Sequence, residues 1–141
     1  MFRPLSPERS TWKSFSEQKK QSMNGPAQEP TYTAVELLEK EYPTIYNGYK
    51  QIMEEQFELF AKKHLDYGMS NISAGTQLAN PDEVAFALTG LWYRVSDKVS
   101  RWKNLIINKR GSQNEPLLDT YKDIANYGII AQLVERGLWK K

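Results

Sequence analysis

From Thr33 onward, apolar residues recur every three or four positions, and Gly, Pro, Asn and Ser cut the pattern into segments. That period belongs to helices with one covered face. Thr33 and Glu36 form a T-x-x-E capping box opening a short helix, Ala34 to about Glu41, which Pro43 stops. A second helix is predicted from about Thr44 to Leu65, with Tyr46, Tyr49, Met53, Phe57 and Phe60 on one stripe and Gly68 as a left-handed terminator. Residues 69–80 read as a polar loop. Asn80 caps and Pro81 begins a third helix reaching about Leu105 or Ile107, its apolar face made of Leu88, Leu91, Trp92, Val95, Val99 and Trp102. A fourth helix starts near Glu115-Pro116, turns Leu117, Tyr121, Ile124, Ala125 and Gly128 to the core, and ends before Gly137. No segment of strand period is long enough to change the class. The pattern predicts an all-α bundle of about four helices over residues 33–141. It is preceded by an arm, residues 1–32, rich in Ser, Gln, Pro and Lys and expected to be mobile.

Composition narrows the chemistry. At 141 residues the chain is expected to form one domain, and 40% hydrophobic with 26% charged residues supplies a real core. There is no Cys, which excludes disulfides and thiolate metal sites. The single histidine, His64, reads as a helix-end residue rather than a catalytic base. No run of 18 apolar residues occurs, so no membrane partner is expected, and without an apolar leader the expected location is cytoplasmic. The net charge of +2 resides in the first 30 residues, leaving the remainder neutral. A nucleic-acid duplex is therefore the least expected partner. The local excess of cations between Arg94 and Arg110 suits a small polyanion better.

Three polar constellations interrupt the helical text. Glu54, Glu55 and Glu58 lie on one arc of the second helix, where neighbouring carboxylates share a divalent cation or form a solvated face with Lys62. Arg94, Asp97, Lys98 and Arg101 lie opposite the apolar stripe of the third, with Asp97–Arg101 available as an ion pair. Asp119, Asp123, Asn126, Tyr127 and Ile130 share a face of the fourth. Two aspartates four residues apart repel unless a metal or a guanidinium bridges them. Acids on several helices are the raw material of a Mg²⁺ site, and interleaved Lys and Arg are what a phosphorylated ligand adds. No P-loop and no G-x-G-x-x-G occurs, which excludes the common strand–loop–helix nucleotide folds.

Taken as a set, Lys63-His-Leu-Asp66-Tyr67-Gly68, the R-x-x-DK-x-x-R run from Arg94 to Arg101 and the D-x-x-x-D-x-x-NY run from Asp119 to Tyr127 resemble a known family. It is nucleotide modification associated domain 1, met in phages and bacteria. That family is similar in pattern to the all-α NTP pyrophosphatases of the MazG and dimeric dUTPase kind. The resemblance covers roughly residues 50–135. It implies a homo-oligomer, dimer or tetramer, acting on nucleotides or deoxynucleotides. In the pyrophosphatases an E-x-x-E pair and an E-x-x-D pair hold Mg²⁺; Glu55 and Glu58 match the first. The second is not in register, since Arg94 precedes Asp97, and Asp119 with Asp123 would replace it.

These readings combine into an expectation: a Mg²⁺-dependent nucleotide phosphohydrolase or related nucleotide-processing enzyme. Glu55, Glu58, Asp119 and Asp123 would hold metal. Asp97, Lys98 and Arg101 would be catalytic, and Tyr67, Arg94, Trp102, Asn126 and Tyr127 would bind substrate. A non-catalytic nucleotide-binding or sequestering protein is the first alternative, and a structural interaction protein whose charges only pair helices is the second.

Overall fold

The computed structural model describes residues 30–141. Among them are five helices and no strand: α1 (Ala34–Glu41), α2 (Pro43–Tyr67), α3 (Ser70–Ser73), α4 (Pro81–Ile107) and α5 (Leu117–Glu135). The all-α class expected from the apolar period is the one found. The described residues fall into two units, one ending at Tyr42 and the other Pro43–Lys141. But for residues 30–32, the expected mobile arm lies outside the described residues.

Local signals act where the sequence puts them. In the first unit, the Thr33 hydroxyl accepts from the Glu36 amide while Glu36 Oε2 accepts from the Thr33 amide at 2.7 Å. That completes the capping box and holds the Glu36 carboxyl below its usual range. In the second unit, Gly68 ends α2 at φ +69°, its amide donating to the His64 carbonyl at 2.8 Å. Asn80 caps α4 by accepting from the Glu83 amide at 3.0 Å. The loop expected over residues 69–80 contains a single turn, α3, because Ile72 and Ser73 are buried there.

The faces differ from the expectation more than the boundaries do. The core of the second unit is Ile72, Ala87, Leu91, Ile130, Val134 and Trp139. On α5 the buried residues are Thr120, Asp123, Asn126, Ile130 and Val134, while Tyr121, Ala125 and Gly128 face outward. The polar face is thus the inner one, the reverse of the side expected. On α4 the buried Ala87–Leu91 stripe continues into the half-buried Arg94, Lys98 and Arg101, and Trp92 is 61% exposed. The α2 stripe also turns out: Tyr49, Met53 and Phe57 are exposed, Phe57 by 72%, and only its last member, Phe60, packs on the core. In each case a mixed face with paired charges occupies the interior, and apolar periodicity alone cannot register such a face.

Candidate functional site

The inner faces of α2, α4 and α5 enclose a cavity of about 590 Å³. Asp123, buried on α5, lines it. Lys63 Nζ from α2 lies 2.6 Å from Oδ1, and Lys98 Nζ from α4 lies 2.7 Å from Oδ2. One carboxylate thus ties three helices together. Burial disfavours its charge, but hydrogen bonds from Lys63 and Lys98 outweigh that, and the carboxyl sits below its usual range. The hydrogen bond to Asp123 raises Lys98 above the usual lysine value despite partial burial.

Around this clamp the cavity is lined by Arg94, Lys122, Asp119 and Glu115 on its charged side. Arg94 Nη2 donates to the Asn71 carbonyl at 2.8 Å and to Asn71 Oδ1 at 3.1 Å, fixing α4 to the α3 turn. Gln56 crosses from α2 to α5, its amide donating to the Lys122 carbonyl at 3.0 Å. The Asp119 carboxylate takes no hydrogen bond or ion pair from a described residue. At the other side stand Ile130 and an aromatic wall: His64 stacks on Phe60 at 5.6 Å and meets Trp139 edge-on at 4.9 Å. Trp139 is held in place by its indole N–H, which donates to the Met69 carbonyl at 3.1 Å. Tyr127 and Asn126 also line the cavity. Asn126 is 6% exposed, and its Nδ2 has no hydrogen-bond partner among the described residues.

Of the residues expected at the site, Tyr67, Arg94, Lys98, Asp119, Asp123, Asn126 and Tyr127 line this cavity together. Glu55, Glu58, Asp97, Arg101 and Trp102 do not. Glu58 pairs with Lys62 at 2.7 Å on an exposed face, and Glu55 accepts from Gln51 at 3.0 Å. The four acids expected to hold Mg²⁺ are therefore not brought together, and no group of three metal-binding side chains occurs among the described residues. Both oxygens of Asp123 are already engaged by lysines. The arrangement does not fit a metal held by these acids. Asp97 is exposed and makes no ion pair with Arg101. Arg101 instead binds the fully buried Thr120 Oγ1 and the Glu115 carbonyl, and reaches Ser112 at 3.2 Å. It pins the start of α5 to α4. Trp102 meets Tyr121 edge-on at 4.9 Å, outside the cavity.

The site residues absent from the expectation include Lys63, Lys122, His64, Asn71, Glu115 and Trp139. Lys63 carried a signal, the K-x-x-DYG spacing that puts it one turn before the end of α2. Trp139 carried none, since it follows the helix stop at Gly137. Among the described residues no helix is long and apolar enough to cross a membrane. Comparisons with protein-family models, with curated proteins and with solved structures each found no match.

Proposed function

We propose that this chain binds a phosphorylated small molecule of nucleotide size in the α2–α4–α5 cavity, its phosphate seated on Lys63 and Lys98. The observation that carries this reading is the clamp: two ammonium groups from different helices converge on one buried acid, 2.6 and 2.7 Å away. A phosphate offers such a pair more charge and more acceptor oxygens than the carboxylate does. Arg94 and Lys122 offset Asp119 and Glu115 on the same wall, and a cavity of about 590 Å³ is within the range of sites for such ligands. The aromatic wall gives an apolar seat beside the charged one. Binding on lysines needs no divalent cation, which favours the nucleotide-binding alternative over metal-dependent hydrolysis.

The reading includes a homo-oligomer. Ile45, Tyr49, Ile52, Met53 and Phe57 leave an exposed apolar stripe along α2, flanked on the same helix by Lys50 and by Glu54 and Glu58. An antiparallel second copy of α2 would cover the stripe and set basic flank against acidic flank.

The test is calorimetric titration with nucleoside mono- and triphosphates in EDTA, comparing the wild type with Lys63→Ala and Lys98→Ala. Binding that persists in EDTA and weakens roughly ten-fold or more in each variant supports the proposal. Binding that appears only with Mg²⁺ overturns it in favour of the metal-dependent enzyme, and no binding of any nucleotide leaves the clamp structural.

A further inference from the structure

The ionisable groups that line the cavity come close to cancelling. Lys63, Arg94, Lys98 and Lys122 stand against Glu115, Asp119 and Asp123, which leaves one net positive charge with His64 neutral. Asp123 is matched by Lys63 and Lys98, and the Arg94 guanidinium is committed to Asn71. Of the lining cations, that leaves Lys122 to offset Glu115 and Asp119, neither of which takes an ion pair from a described residue.

The two acids belong to the same stretch of chain as the seat. Asp119 is one turn before Asp123 on α5, about 6 Å along the axis and on the same side of the helix. Glu115 comes four residues earlier, just ahead of the helix, and its charge reaches the seat. Lys98 is held above the usual lysine value first by its hydrogen bond to Asp123, with Glu115 among the lesser causes. In the other direction along this face of α5 no cation follows: Asn126, Tyr127 and Ile130 are the next lining residues.

This balance limits the charge of a ligand. A phosphate monoester carries about −1.5 to −2 near neutral pH, which takes the cavity from one net positive charge to about one negative. Every further phosphoryl group adds negative charge that the lining does not match. Like charges brought together weaken binding and reject the wrong partner more than they alter the right one.

We infer that the cavity selects phosphate monoesters, nucleoside monophosphates among them, over di- and triphosphates, with Glu115 and Asp119 repelling the longer phosphate chains. The inference rests on the phosphate seat proposed above. AMP, ADP and ATP share base and sugar and differ only in phosphate number, so they are the probes. They are titrated calorimetrically in EDTA into the wild type, Asp119→Asn, Glu115→Gln and the double variant. The wild type is expected to bind AMP roughly ten-fold tighter than ATP, with ADP between them. In the double variant ATP should gain roughly ten-fold while AMP changes by less than about three-fold, which closes the gap. Each single variant should show part of that gain, so the test stands even if the double variant folds poorly. If the wild type binds ATP as tightly as AMP or tighter, the inference fails and the seat stands. A preference for AMP that the variants leave unchanged also overturns it, since the acids then do not set the limit. If the wild type binds none of the three, the phosphate seat itself fails and the inference falls with it.

Discussion

Lys98 on α4 and Asp123 on α5 meet at 2.7 Å inside the unit, with Lys63 closing on the other carboxylate oxygen at 2.6 Å. The acid is thus a tie between helices and, in the proposed reading, the occupant of the anion seat. Charge removal at Asp123 acts on both roles, in opposite directions.

Asp123→Asn leaves two ammonium groups facing each other across a neutral amide. Lys63 is about half exposed, so solvent screens part of the repulsion. The expected loss is roughly 1–3 kcal/mol, a fall in Tm on the order of 5–10 °C by thermal denaturation. The freed lysines should then take an external anion, so sulfate or phosphate should restore more Tm in the variant than it adds to the wild type. An unchanged Tm without added anion would show that the clamp does not hold the helices.

The same pair contributes to the pH dependence of stability. Asp123 is held below its ordinary 3.8 by the two lysines, so its contribution is fully present above that value. It is lost as the pH falls through the lower folded value. Lys98 is raised above its ordinary 10.5, so its contribution is present below that pH and lost as the pH rises through the folded value. Denaturant midpoints should therefore stay level with respect to this pair from about pH 4 to 10 and fall at both ends. In Asp123→Asn the acid fall should be shallower. An acid limb identical in the variant would place the linkage elsewhere.

The fold was legible because its signals are local. Thr33 with Glu36, Gly68 and Asn80-Pro81 each specify a helix end through bonds made within four residues. The site was legible only in part. Asp119, Asp123, Asn126 and Tyr127 share one face of a helix, and periodicity places them together whichever way that face points. Which way it points depends on Lys63, sixty residues away in sequence, and on Lys98, and a single helix does not encode its partner. The Asp97–Arg101 spacing allowed an ion pair that the structure does not use, since Arg101 turns instead to the buried Thr120 hydroxyl and the Glu115 carbonyl. The E-x-x-E spacing at Glu55 and Glu58 describes an exposed face with Lys62 at hand.

The exposed stripe on α2 predicts an oligomer whose seam is apolar. A carboxylate at Phe57, which is 72% exposed, costs the monomer little but places charge in the seam. Phe57→Glu should shift the mass measured by light scattering from an oligomer toward one chain, with helical circular dichroism retained. A wild type of single-chain mass at all concentrations would remove the basis for this seam.

Trp139 gives the sharpest separation of packing from hydrogen bonding. It is buried beyond the end of α5, where Gly137 at φ +66° turns the chain back. Its ring lies edge-on to His64 and to Phe60, and its N–H reaches the Met69 carbonyl at 3.1 Å. Trp139→Ala removes the ring and the bond together and should cost about 3–5 kcal/mol by denaturant unfolding. Trp139→Phe keeps most of the ring, and the added cost of leaving the Met69 carbonyl without this donor should be roughly 1 kcal/mol. The two variants should also differ at the site. With the apolar wall intact, Phe should retain ligand affinity within about three-fold, whereas Ala should lose substantially more. Equal losses of affinity in both would mean that the indole N–H, through its hold on Met69, matters more to the cavity than the ring does.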